Sequence, residues 1–307
     1  MPPLPSSTVH PPSSLFSLIG TWADFVKLSH TVFALPFALA SMAVAARENR
    51  GWPGWRIFLL ILAATVCART SGMAFNRIVD RKFDAANPRT AARHLPTGTI
   101  SLSSALVLCV LSGFGLLASS YFINPVCFYL SPIALFIVCF YSLTKRFTDF
   151  THIYLGVALA LAPLGAWLAV SGSLAFSPFL LALAVVAWLV GFDIIYAIQD
   201  YEFDRKHGLH SLVVRWGVKN ALKFAFLCHI AMWTLLVLFG LISRFRVAYS
   251  VGLFIILGSL ILEHWLAHKR SLKWINTAFF RLNALISLVF FIVTVTEVAF
   301  PAFKLIR

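Results

Sequence analysis

Acidic side chains are scarce in this chain. It has eleven Asp and Glu in 307 residues, against 25 Lys and Arg, and only 12% of its residues are charged. A soluble domain is roughly a quarter charged. Here 60% of residues are hydrophobic and mean hydropathy is +0.87. One soluble core cannot hide that much apolar surface, so lipid must be the solvent for much of the chain. Paired cysteine is absent as well. Cys67, Cys109, Cys127, Cys139 and Cys228 all lie inside apolar runs, with no C-x-x-C spacing. That excludes a disulfide framework or a thiolate zinc site and leaves packing thiols. Nor does the net charge of +14 make a nucleic-acid face. The basic residues fall in the gaps between apolar runs, where Lys and Arg flank membrane helices. Residues 1–17, rich in Pro and Ser, lack a basic stretch ahead of an apolar one. They read as a flexible tail rather than a signal peptide, and residues 18–307 as a single polytopic membrane domain.

What is abundant is long apolar runs. A membrane-spanning helix needs about 20 of these residues. About nine stretches qualify, near 26–46, 57–78, 101–119, 122–143, 152–171, 177–199, 219–241, 246–266 and 278–300. The fold class expected is therefore an all-α integral membrane protein. Asn124-Pro125 and Ser171-Gly172-Ser173 mark tight joints. With the N-terminus inside, fifteen Lys and Arg fall on inner segments. These are Lys27, Arg77, Arg81, Lys82, Arg89, Arg93, Lys145, Arg146, Arg205, Lys206, Arg215, Lys219, Lys269, Arg270 and Lys273. Seven fall outside: Arg47, Arg50, Arg56, Arg244, Arg246, Lys304 and Arg307. That bias predicts a cytoplasmic N-terminus, with long inner loops over about 79–100 and 200–218 carrying the chemistry.

Six of the eleven acids collect in two segments, each at the inner end of an apolar run. One is Asn76-x-x-x-Asp80-x-x-x-Asp84. The other is Asp193-x-x-Tyr196-x-x-x-Asp200-x-Glu202-x-Asp204. Spacings of four and seven put Asn76, Asp80 and Asp84 on one helix face and Asp193, Asp200 and Asp204 on another, with Glu202 pointing elsewhere. Neighbours in the first row stand about 6 Å apart. Two facing carboxylate rows repel unless a cation joins them. Mg²⁺ suits, since it takes a few carboxylates plus waters and substrate phosphates, and nearby Lys and Arg suit the remaining phosphate oxygens. Solvated helix ends neutralised by local bases are the bland alternative, but they do not account for the repeated spacing. The rows sit four runs apart, which suggests two similar halves of parallel topology.

These residues resemble the UbiA superfamily of intramembrane prenyltransferases over nearly the whole chain. The resemblance is carried by the two rows, by Asn87-Pro-Arg-Thr-Ala-Ala-Arg-His-Leu-Pro-Thr-Gly98, by Tyr141-Ser-Leu-Thr-Lys145-Arg146 and by Gly208-Leu-His-Ser211. Within that superfamily the chain looks most like bacterial 4-hydroxybenzoate polyprenyltransferases of quinone biosynthesis. Its opening Lys27-Leu-Ser-His30-Thr-Val-Phe-Ala-Leu-Pro-Phe37 is closer to a menaquinone-linked branch, since ubiquinone enzymes tend to have Arg where His30 stands. The resemblance implies a nine-helix bundle around a central cavity in the bacterial plasma membrane. It implies that Asp80, Asp84, Asp200 and Asp204 hold Mg²⁺ on a polyprenyl diphosphate, that Asn76 completes the first row, and that Arg77, Lys145 and Arg146 contact phosphate. Asp193 and Tyr196 would lie beside the reacting carbon.

The chemistry so implied ionises an allylic diphosphate and captures the cation with the ring carbon ortho to a phenol oxygen, on a hydroxylated aromatic acid. Asp193 is the candidate for promoting deprotonation, or else a buried aspartate tied to helix neighbours. His30 either positions the acceptor carboxylate or is an interface histidine. Arg89 and Arg93 suit phosphate or lipid headgroups. The acceptor reads as 4-hydroxybenzoate or 1,4-dihydroxy-6-naphthoate. Membrane lipid is the one other partner expected. A secondary transporter is the reading from another class, and it fits less well because the acids sit at helix ends rather than at mid-membrane.

Overall fold

The fold is given by a computed structural model that describes residues 15–49, 51–268 and 278–300. In chain order the helices are α1 (Leu15–Phe25), α2 (Thr31–Glu48), α3 (Gly54–Ala86), α4 (Leu102–Ile123), α5 (Pro125–Phe140), α6 (Thr151–Ser171), α7 (Phe176–Ala197), α8 (Tyr201–Lys206), α9 (Leu212–Ile242), α10 (Val247–His268) and α11 (Asn283–Ala299). Short 3₁₀ turns at Leu28–His30, Tyr141–Arg146 and Ile198–Asp200 precede α2, follow α5 and join α7 to α8. Among the described residues nine helical segments are long and apolar enough to cross a membrane, and each expected run falls on one of them. The expected tail lies outside the described residues up to residue 14, and α1 begins at Leu15. Arg50, Lys269, Arg270, Lys273, Lys304 and Arg307 also lie outside them.

The two expected inner loops are shorter than the sequence suggested. α3 runs on to Ala86 because nothing between Arg81 and Ala86 breaks a helix. The stop comes at Asn87, whose φ −91° and ψ 118° are extended, as the residue before a proline prefers. After α7 the chain continues through a 3₁₀ turn into α8, and helix ends at Lys206. Both carboxylate rows are therefore carried on helix. The joint between α4 and α5 is as tight as expected. Asn124 caps α5 by accepting from Cys127 N at 2.8 Å, donates to Leu168 O at 2.9 Å, and leaves Pro125 at the first helical position, where no N–H is needed.

Large apolar side chains point outward, among them Leu111, Phe114 and Phe254, as a surface facing hydrocarbon requires. Inside, Phe33, Phe37, Trp188, Phe192 and Phe290 form an aromatic core. The chain closes on itself where α11 packs against α2. Polar groups buried in such a bundle must find partners within it. Ser41 Oγ donates to Pro163 O at 2.7 Å, tying α2 to α6. Trp188 Nε1 donates to Asn283 Oδ1 at 2.6 Å and Asn283 Nδ2 to Glu263 Oε1 at 2.8 Å, tying α7, α11 and α10.

Candidate active site

α3 and the α7–α8 segment deliver their acids to one polar cavity of ≈ 290 Å³. Asn76, Asp80 and Asp84 line it from one side. Asp193, Tyr196, Asp200 and Asp204 line it from the other, and Arg77, Lys145, Arg146 and His30 complete the wall. Every residue singled out from sequence as a site residue thus meets here. The 3₁₀ turn at Ile198–Asp200 does not spoil the second row, since Asp193, Asp200 and Asp204 still share the cavity. Glu202 is exposed and stays out of it.

Each of the four carboxylates expected to hold metal is met by a base from another element. Asp80 accepts from Arg146 Nη2 and from Asn76 Nδ2, both at 2.9 Å. Asp84 accepts from Arg93 Nη1 at 2.7 Å. Asp200 takes a two-pronged contact from Arg89, with Nε at 2.8 Å and Nη2 at 2.5 Å, and a third bond from Asn87 Nδ2 at 3.0 Å. Burial works against the Arg89 charge, but its bonds to Asp200 outweigh this and hold the guanidinium above its ordinary pKa. Arg89 Nη1 also donates to Tyr196 Oη at 3.0 Å. Lys145 Nζ stands 3.6 Å from Asp204 Oδ2, within Coulombic range of Asp200, Asp193 and Asp80 too. His210 N donates to Lys145 O at 2.8 Å and so fixes the turn that carries Lys145. Arg77 is buried, with Nε 3.4 Å from Phe25 O. His30 packs its ring against Phe33 and Phe280.

The residues present fit a hard divalent cation. The donors are carboxylate oxygens, which Mg²⁺ prefers, and Asp204 Oδ2 is enclosed without a hydrogen-bond partner. As the side chains stand, no three His, Cys, Asp or Glu among the described residues are grouped closely enough to share an ion. The bases occupy that role instead.

A second cavity, ≈ 360 Å³ and almost wholly apolar, opens among α2, α3, α4, α5 and α6. Arg69, Met73, Tyr141, Leu155 and Leu159 line both cavities and so form the wall between them.

The chain matches the UbiA prenyltransferase family over residues 34–287. It belongs to that family. A 4-hydroxybenzoate octaprenyltransferase from Tolumonas auensis is 32% identical over 245 residues, covering 79% of this chain and 84% of the relative. One from Nitrosospira multiformis is 31% identical over 72% of this chain and 76% of its own length. An apo UbiA homologue from Aeropyrum pernix K1 superposes with a TM-score of 0.80 at 30% identity, covering 87% of this chain and 98% of that one. A UbiA homologue from Archaeoglobus fulgidus bound to GPP and Mg²⁺ shares the fold, with a TM-score of 0.67 at 20% identity, covering 89% and 99%.

This UbiA-family prenyltransferase is thus a multi-pass membrane enzyme, as its sequence implied, and the transporter reading falls. Several cavity residues lay outside the sequence reading. Asn87 appeared there only as part of a loop. Arg89 and Arg93, which the sequence assigns to phosphate or headgroups alike, both line the cavity. Arg69 was passed over, although a lone ionisable residue inside a spanning run is itself a signal. Its Nε is buried with no hydrogen-bond partner. His152, in the first turn of α6, was missed as well. It carries no spacing signal, yet its Nδ1 lies 2.6 Å from Asp193 Oδ2.

Proposed function

We propose that this enzyme transfers a polyprenyl chain from its diphosphate to a ring carbon of a hydroxylated aromatic acid, in quinone synthesis. The observation that carries the reading is one cavity holding two carboxylate rows, their bases and a wall shared with an apolar groove. Mg²⁺ held by Asp80, Asp84, Asp200 and Asp204 would neutralise the charge that gathers on the departing diphosphate. The bases now resting on those acids, Arg89, Arg93, Lys145 and Arg146, are within reach of phosphate oxygens, and Arg77 stands beside them. Arginine is suited to grip phosphate with paired N–H groups. The prenyl tail follows the apolar groove. Its wall keeps water from the allylic cation, and Tyr196, over whose ring Arg89 lies at 5.4 Å, stands by the reacting carbon.

The acceptor needs an anchor for its carboxylate and an acceptor for its phenolic proton. Arg69, with an unpaired buried Nε at the wall of both cavities, supplies the first, with His30 alongside. Asp193 supplies the second. The names of the bacterial relatives favour 4-hydroxybenzoate. His30 in place of Arg keeps 1,4-dihydroxy-6-naphthoate as the alternative acceptor. The bacterial sources of the relatives support a bacterial plasma membrane, and the bias of Lys and Arg supports the N-terminus and the cavity on its cytoplasmic side.

The test is a membrane-fraction assay with a polyprenyl diphosphate and Mg²⁺, offering each acceptor separately and detecting products by mass. Prenylated product is expected with one of them, and its loss in Asp80→Ala and Asp200→Ala at normal membrane insertion. Normal turnover by either variant overturns the role given to the rows. No prenylated product with any aromatic acid overturns the reaction.

A further inference from the structure

Asp193 is held by a hydrogen bond to His152. His152 is 1% exposed and its Nδ1 lies 2.6 Å from Asp193 Oδ2. A carboxylate only accepts, so Nδ1 carries the proton and donates. The other ring nitrogen, Nε2, is enclosed and has no hydrogen-bond partner. Buried polar groups are ordinarily satisfied, and a histidine kept only for packing gains nothing from a nitrogen left bare. The start of α6, which carries this ring, is tied to the neighbouring turn. Thr151, the residue before it, is buried and shares a hydrogen bond of 2.8 Å with Thr144 on the Tyr141–Arg146 turn. The side chain of Asp193 is 20% exposed and lines the polar cavity. With Oδ2 taken by His152, Oδ1 is the oxygen left for a ligand.

We propose that His152 is a positioning residue for prenyl transfer, fixing Asp193 so that Oδ1 receives the phenolic proton of the aromatic acceptor. The inference rests on the prenyl-transfer reading above. In the step, the phenol O–H bond breaks toward Asp193 Oδ1 and its electron pair moves into the ring. The ortho carbon forms the bond to prenyl C1, and the bond from C1 to the diphosphate oxygen breaks with its pair on the leaving group. The dienone so formed regains aromaticity when the proton on the alkylated carbon leaves and the ring oxygen takes one back, which Asp193 returns. The net release is diphosphate and one proton. A carboxylate free to rotate would spend part of its time turned from the hydroxyl, and small misplacements of this kind weigh heavily on rate.

The experiment is steady-state kinetics on the full-length enzyme in detergent, with the acceptor that the wild type uses, for His152→Ala, His152→Asn, Asp193→Asn and the double variant His152→Ala/Asp193→Asn. His152→Ala is expected to lower kcat/KM for the acceptor about tenfold or more while the KM for prenyl diphosphate stays within about twofold. His152→Asn offers an amide N–H near the place of Nδ1 and is expected to recover most of that loss. The double variant is expected to be no worse than Asp193→Asn alone, since both act through one oxygen. Unchanged acceptor kinetics in His152→Ala, equal losses for both substrates without recovery by Asn, or additive losses in the double variant would overturn the proposal. If His152→Ala does not fold, His152→Asn and Asp193→Asn decide it, because wild-type acceptor kinetics in Asp193→Asn removes the premise. A wild type that transfers no prenyl group to any aromatic acid fails the parent reading instead, before any variant is compared.

Discussion

At the scale of single residues, the informative ones carry a charge that has nowhere else to go. Arg69 sits in an otherwise apolar stretch of α3 with Nε buried and unbonded. A hydrogen bond to a charged group contributes about 1.5–3 kcal/mol. Arg69→Leu is therefore expected to raise the KM for a carboxylated acceptor about tenfold or more, and to matter little for a phenol that lacks the carboxylate. A like penalty for both acceptors would remove Arg69 from that role. Arg89 holds Asp200 by two prongs, and Arg89→Ala is expected to raise the KM for prenyl diphosphate at least about tenfold with the acceptor KM nearly unmoved. The acids of this site were legible in the sequence because a four-residue period on a helix is a geometric statement. Their partners were not. Arg89 and Asp200 are 111 positions apart, and no spacing rule says which side chain reaches across a cavity. His152 was invisible for the same reason, since its meaning lies in Asp193, 41 positions away.

At the scale of helices, the number and order of spans followed from apolar run length, while their ends did not. Helix continued past the apolar run wherever the charged residues beyond it were themselves good helix formers, as at Arg81–Ala86, and stopped at Asn87-Pro88 and at Gly208. Packing between helices was still less readable. α9 changes direction at Gly217, where φ is +73°, a conformation other residues adopt only with strain. Gly191 on α7 has no such conformational need. It is a close approach, since a β-carbon there would collide with the ring of His229 on α9. That ring is fixed by His264 Nε2 at 2.9 Å and lies 3.3 Å from Trp188 O. Gly191→Ala is expected to destabilise the bundle by about 1–3 kcal/mol through forced separation of α7 and α9, read as a lower Tm in detergent. An unchanged Tm would mean that the ring has room to swing away.

At the scale of the whole molecule, apolar side chains face outward as well as inward, and the two ends of the bundle are distinct. A single cysteine at Thr97, in the segment after α3, and another at Trp52, in the turn before it, report the orientation in a background lacking the native five. An impermeant thiol reagent is expected to label Trp52→Cys in intact cells and Thr97→Cys only after permeabilisation. The reverse pattern would invert the membrane topology. The apolar groove makes its own demand: Ala134→Trp is expected to abolish transfer from long prenyl diphosphates while GPP is still used, and equal loss of both would mean that the tail runs elsewhere. The meeting of the two cavities at Arg69 and Tyr141 also bears on where the products go. In the proposed reaction one product is an anion that belongs in water and the other an oil-soluble ring that belongs in the bilayer, and the shared wall stands between a cavity lined by charges and one lined by apolar side chains. Each product departs into the medium that holds it best. Dilution of one into water and of the other into lipid lowers both concentrations on which the reverse step depends, so compartment as well as chemistry would favour the forward direction.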